Sequence, residues 1–167
     1  MINDHQSNDR LIMLCGVSGS GKTRYARRLE ADGYVRVSPD AIAWSRYGSS
    51  LATLPFAEQK AIFAGINAEL LTVVETLLKE GRRVVVDSTM CKLAKRDAMR
   101  RVCRGLGVEP RLVYLQAPLE VLRRRLAARR GTGPDDQLVT DTQLLSFLAG
   151  FEAPLPTEHP VVYKSRE

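Results

Sequence analysis

Residues Gly16 to Thr23 read GVSGSGKT and satisfy the pattern G-x-x-x-x-G-K-[ST] at every required position. An apolar run, Leu11 to Cys15, leads into them, and a helix pattern starts near Gly21. Strand, glycine turn, helix is the context that gives the pattern physical meaning. Glycines let successive backbone N–H groups converge on an anion with no Cβ in the way, and the positive end of the helix dipole adds to them. Gly16, Ser18, Gly19, Ser20 and Gly21 are therefore candidates for a phosphate cradle. Lys22 is the candidate point charge for the β- and γ-phosphates, and the Thr23 hydroxyl the candidate magnesium ligand. A nucleoside triphosphate with Mg2+ is the ligand such a loop implies, with ATP the first choice. No convincing N/T-K-x-D element for guanine follows in the second half.

The rest of the chain alternates in the way this loop requires. Tyr34 to Val37 reads as a second strand, closed by Ser38-Pro39-Asp40, where a helix can begin. Residues 41–56 resist assignment, with Gly48-Ser49-Ser50 and Pro55 marking loop. From Ala57 to Lys79 apolar residues recur at helical spacing up to Gly81. Val84-Val85-Val86 is a continuous apolar run, as expected of a strand buried on both faces of a parallel sheet. A helix from Lys92 to Leu106, a strand from Pro110 to Leu115 and a helix from Pro118 to about Arg130 follow. Gly131 to Asp136 reads as a mobile loop, Thr140 to Phe151 as a short helix, and Val161 to Tyr163 as a last strand. This order predicts an α/β fold: a three-layer α/β/α sandwich of the P-loop NTPase kind. Its sheet is mainly parallel, of about five strands, with a helical lid over about 125–140. The expected organisation is one domain over 1–167, with 1–9 flexible.

Composition sets outer limits. The chain has 167 residues, 44% hydrophobic and 26% charged, in the globular range. No stretch of the sequence approaches the roughly 20 apolar residues of a membrane span, and the polar start MINDHQSNDR lacks the apolar middle of a signal peptide. The expectation is a cytoplasmic protein with no membrane partner. Three cysteines, Cys15, Cys91 and Cys103, lack metal-ligand spacing and imply reduced thiols, with Cys91 a passive neighbour of the rim described next. The net charge of +6 is gathered in two segments, Lys92 to Arg104 and Arg123 to Arg130. Such clusters suit nucleic acid, a polyphosphate or a solvated helix face, and composition does not separate these.

Ligands of open parallel sheets bind beyond the carboxyl ends of the strands. Gly16 to Thr23, Asp40 and Asp87 all follow strand ends, so they share one rim. Asp40 is placed either to take a proton from an acceptor hydroxyl or to cap the helix that follows. Asp87 suits magnesium, the acceptor or a plain turn, and Ser88 and Thr89 beside it either donate to a substrate oxygen or form that turn. Arg125 and Arg129, spaced i, i+4, share a face of their predicted helix. Before the flexible 131–136 loop they fit a lid that closes over phosphates, or else a solvated basic face. Trp44, Tyr47, Phe56 and Phe63 either pack an acceptor ring or fill core.

These residues carry a family resemblance. With Asp40 after the second strand, VVVDST at 84–89, R-x-x-x-R after PLEVLRR and FEAPLP at 151–156, residues from about 11 to 156 resemble AAA-type ATP-binding P-loop kinases. The likeness is to kinases related to polynucleotide 5′-kinases, and the zeta-toxin and chloramphenicol phosphotransferase families share much of the same plan. The resemblance implies ATP-dependent phosphorylation of an alcohol group. The acceptor would be a small molecule, a nucleoside or a polynucleotide 5′ end. It implies Asp40 as general base, Asp87 as an acceptor-side aspartate, and Arg125 and Arg129 as lid arginines. One departure bears on the acceptor. Polynucleotide kinases of this kind carry D-x-x-R, but Ala43 stands where that arginine would be, with Arg46 the nearest substitute. Nucleic acid is thereby disfavoured against a small hydroxylated acceptor. The alternative from another class is an ATPase or nucleotide switch coupled to a partner protein.

Overall fold

The structure is a computed structural model and describes residues 9–165. Five strands form one sheet: β1 (Leu11–Cys15), β2 (Val35–Val37), β3 (Val84–Val86), β4 (Pro110–Gln116) and β5 (Val161–Lys164). The spatial order is β2-β3-β1-β4-β5 and every pair is parallel. Leu11 lies opposite Val84 on one side and Pro110 on the other, so β1 is central. All residues of β1 and β3 are buried, which is why both read as unbroken apolar runs.

Alternation along the strands divides the core. Leu11, Met13, Cys15, Val84 and Val86 face one layer, built from Leu70, Val74 and Leu78 of α3 (Phe56–Lys79) and Met99 and Cys103 of α4 (Leu93–Gly105). Ile12, Leu14, Val85 and Val113 face the other, against Ala26 and Leu29 of α1 (Lys22–Ala31). The expected three layers and strand number are therefore present. α3 is, by length and composition, apolar enough to cross a membrane, contrary to the sequence expectation. Its stripe Ile66, Leu70, Val74 and Leu78 is buried, with the last three packed on the sheet.

Several local features differ from the sequence reading. The uncertain stretch after β2 forms α2 (Pro39–Tyr47) and a 3₁₀ turn over 48–53. Ser38 caps α2, its Oγ accepting from the Ala41 N–H at 3.3 Å, with Pro39 in the first turn. Asp40 is thus released from the capping role. The helix after β4, α5 (Leu119–Ala127), stops short of Arg129. The loop expected to be mobile is instead tightly bonded. Asp136 Oδ2 accepts from the backbone N–H groups of Arg130 and Thr132 and from the Thr132 hydroxyl, and residues 134–136 make a 3₁₀ turn before α6 (Asp141–Ala149). The N-terminal stretch expected to be flexible lies outside the described residues except Asp9, whose carbonyl accepts from Tyr34 Oη and whose carboxylate pairs with Arg111.

The basic run of α4 is also partly internal. Arg96 is fully buried and donates to the carbonyls of Met90 and Glu152 and to both carboxylate oxygens of Glu158. Arg100 shares Glu158, and Lys92 pairs with Glu152. Tyr47 and Phe56 are 39% and 52% exposed, so neither fills core. Phe63 does, beside Ile66 and Leu51.

Candidate active site

The phosphate loop joins β1 to α1. Gly16, Gly19 and Gly21 have φ of 148°, 84° and 103°, which side chains rarely tolerate. At Gly16 a Cβ would fall 2.5 Å from the Leu115 carbonyl and 2.6 Å from Ser20 Oγ. The Gly16 N–H donates to the Thr89 carbonyl at 3.1 Å, tying the loop to the segment after β3. Lys22 Nζ is buried and folds back to donate to the Val17 carbonyl at 3.0 Å. Burial lowers its pKa, against the pull of Asp87 and then Asp40. The buried Ser20 hydroxyl finds no hydrogen-bond partner among the described residues.

A cleft of about 190 Å³ opens in front of this loop. Ser18, Gly19, Gly21, Lys22 and Thr23 line it from below. Asp40, Asp87, Ser88 and Thr89 line it from the strand ends, and Arg125, Arg129 and Asp135 from the segment of α5 and the turn after it. Most candidates named from sequence therefore meet in one place. Gly16 and Ser20 shape the loop from behind without lining the cleft. Arg46 is not brought there: it grips Glu69 of α3 at 2.7 Å on the surface, so it does not replace the arginine missing at the fully buried Ala43.

Asp40 is exposed to the cleft yet set within its concavity. Desolvation there pushes its carboxyl up to about 6; Lys22 pulls it down and Asp87 pushes it up further. A carboxylate with a pKa near the working pH is suited to accept a proton. Arg125 and Arg129 reach the cleft by different routes. Arg125 projects from α5, donating to the Gly19 carbonyl at 3.0 Å and to Ser165 Oγ at 2.6 Å. Arg129 lies past the helix end, its N–H bonded to the Leu126 carbonyl and its Nη1 to the Gln137 carbonyl at 2.9 Å. A shared helix face is therefore not what brings them together.

Arg36, in the middle of β2, is the residue sequence reading missed. Its Nε donates to Asp87 Oδ2 at 2.9 Å, and its guanidinium also pairs with Asp135 of the lid turn. Arg27 of α1 pairs with the same Asp135. A lone charge between two valines of a strand was the available signal.

Among the described residues no three His, Cys, Asp or Glu side chains cluster to hold a metal. Thr23 and Asp87 do face the same cleft, and magnesium commonly takes one or two protein oxygens with the remainder from phosphates and water. The glycine cradle and this oxygen pair fit a triphosphate with its cation. A larger cavity, about 470 Å³, lies against Val17, Tyr114 and Phe151 and contains none of these charged groups.

The sequence pattern of the AAA domain family matches residues 11–154. Several solved structures share the fold. A sugar kinase from Janibacter sp. HTCC2649 is 22% identical, with a TM-score of 0.72 over 95% of this chain and 87% of that one. A gluconokinase from Sinorhizobium meliloti 1021 is 24% identical, with a TM-score of 0.64 over 94% and 83%. The APS kinase of Mycobacterium tuberculosis, in complex with AMPPNP and APS, is 18% identical, with a TM-score of 0.60 over 97% and 91%.

Proposed function

The chain belongs to the AAA domain family, with the fold of P-loop kinases, and from that premise we propose that it is an ATP-dependent kinase acting on a hydroxyl group. The observation that carries the reading is the meeting of Asp40 and Lys22 in one cleft, an acid–base group facing a phosphate-binding cation. An acid–base group on that side of the cleft gives an attacking hydroxyl a place to leave its proton.

In this reading the backbone of residues 16–21 and Lys22 hold the β- and γ-phosphates, and Thr23 with Asp87 would hold Mg2+, which would supply charge neutralisation. Asp40 accepts the acceptor's hydroxyl proton as the new O–P bond forms and the bond from γ-phosphorus to the bridging oxygen breaks, leaving ADP. Arg125 and Arg129 balance the charge spread over the transferred group. Ser88 and Thr89 lie where they can donate to the acceptor. A small acceptor is favoured over a polynucleotide end. The buried Ala43 and Arg46 turned to Glu69 support that choice.

The test is a screen with labelled ATP and Mg2+ against sugars, nucleosides, amino alcohols and oligonucleotide ends. Transfer to a hydroxyl, lost in Asp40→Asn, is expected. ATP hydrolysis at equal rates with and without every acceptor, unaffected by Asp40→Asn, would replace this reading with that of an ATPase or switch.

A further inference from the structure

Arg36 lies behind Asp87 and Asp135, which line the cleft, and its side chain is 10% exposed. It faces two carboxylates of different kinds. Asp87 is fixed at the end of β3, 4% exposed and bonded through Arg36 Nε at 2.9 Å and Nη2 at 2.7 Å. Asp135 sits on the 3₁₀ turn of the lid, a segment that packs on α2 near Asp40. Its two oxygens take the remaining Arg36 donors, and Arg27 grips it from α1. Two arginines therefore hold one carboxylate that belongs to a short turn rather than to the sheet.

The space left beneath that turn is about 190 Å³, short of the roughly 300–1,000 Å³ usual for a small-molecule site. That leaves little room for a triphosphate and an acceptor together while the turn stays there. When the turn withdraws, Asp135 leaves, and Arg36 and Arg27 keep two positive charges opposite Asp87 alone. Arg27 is 63% exposed and stays solvated, but the enclosed Arg36 loses one of its two carboxylate partners, which an anionic acceptor would replace and a neutral one would not. Two guanidinium groups also suit the planar, two-oxygen grip of a carboxylate or phosphate.

We propose that Arg36 and Arg27 form an anion receptor for the acceptor, and that Asp135 is its internal occupant until the acceptor arrives. The phosphorylated alcohol then carries a carboxylate or phosphate of its own. This deepens the kinase reading and rests on it for the word acceptor, but the receptor itself is testable without turnover.

The protein is first saturated with Mg2+ and AMPPNP, so that the phosphate loop is filled. Inorganic sulfate is then titrated while the Arg36 Nε–H and the backbone signals of 133–136 are followed by NMR. Sulfate should shift both sets saturably, and Asp135→Asn should tighten it by about tenfold, the scale expected when a charge-assisted competitor is removed. Arg27→Gln in the Asp135→Asn background should reverse the gain. Equal sulfate affinity in wild type and Asp135→Asn, or shifts confined to residues 16–23, overturns the receptor. A second measurement compares turnover on matched pairs: glucuronate with glucose, and glycerol 3-phosphate with glycerol. A preference for the charged member of either pair supports the proposal and separates carboxylate from phosphate. Equal turnover on charged and neutral members overturns it while leaving the kinase reading intact. If sulfate behaves as expected but no hydroxyl is phosphorylated in any screen, the receptor stands and the kinase reading falls.

Discussion

Arg96 donates through Nε and Nη2 to the two carboxylate oxygens of Glu158, at 2.8 and 2.9 Å, across 62 residues of sequence. The pair ties α4 to the segment between α6 and β5 and so holds the last strand's approach to the sheet. Burial works against the Glu158 charge. Arg96, the Leu155 N–H and Arg100 outweigh it and hold the carboxyl down at about 2, from an ordinary 4.5. A depressed carboxyl stabilises the fold fully above its unfolded value, and that contribution fades as pH falls from 4.5 towards 2. Urea midpoints should drop across that window. Glu158→Gln should flatten the drop and cost about 3 kcal/mol at neutral pH, because Arg96 is left buried and unpaired. A variant as stable as wild type at pH 7 refutes the assignment.

Asp40 carries the opposite sign. Its carboxyl is raised to about 6, so the fold disfavours its ionised form, and its contribution to stability declines as pH rises from 3.8 through 6. Asp40→Asn should keep nucleotide binding and match or exceed the wild-type melting temperature at pH 7.5. Turnover should fall by about 10²–10⁴-fold, the usual contribution of a positioned base. The wild-type rate should fall below pH 6 with unit slope. Poor nucleotide binding with a proportionate loss of rate would make Asp40 structural.

Lys22 makes one hydrogen bond, to a carbonyl of its own loop, and burial disfavours its charge. Lys22→Ala should therefore leave the melting temperature within about 2 °C while removing nearly all phosphoryl transfer. Turnover within a few-fold of wild type in a folded sample contradicts the role.

Arg129 reaches the cleft from a chain segment held by its own Nη1 bond to the Gln137 carbonyl. Arg129→Lys keeps the charge and loses the planar fork, so turnover should fall by at least about tenfold. Hydrogen exchange over residues 125–140 should slow when AMPPNP binds. Unchanged exchange and near-normal turnover together would reduce this segment to a basic surface.

The sheet and the phosphate loop were legible because local patterns specify both. Val84 to Val86 is apolar on both faces, and glycines at 81 and 107 end their helices with φ of 76° and 65°. Asp40 and Asp87 were legible because strand ends share a rim in parallel sheets. What escaped depends on pairings between distant residues. Arg36 gains its meaning from Asp87 and Asp135, 51 and 99 positions away. Arg96 reads as one more exposed cation until Glu158 is placed beside it. Arg125 and Arg129 do meet at the cleft, but not through a shared helix face, since the helix ends at Ala127.

The central place of β1 in the sheet has a consequence for how the chain matures during synthesis. The strand that carries the phosphate loop is made first, but its partners come only after α3 and after α4. A growing chain thus has the whole GVSGSGKT sequence long before anything pairs with the strand beneath it. Such pairing between distant segments is slow to form and leaves apolar strands open to wrong partners meanwhile. The phosphate-loop motif is written ahead of the strands that position it, and its geometry arrives only with them.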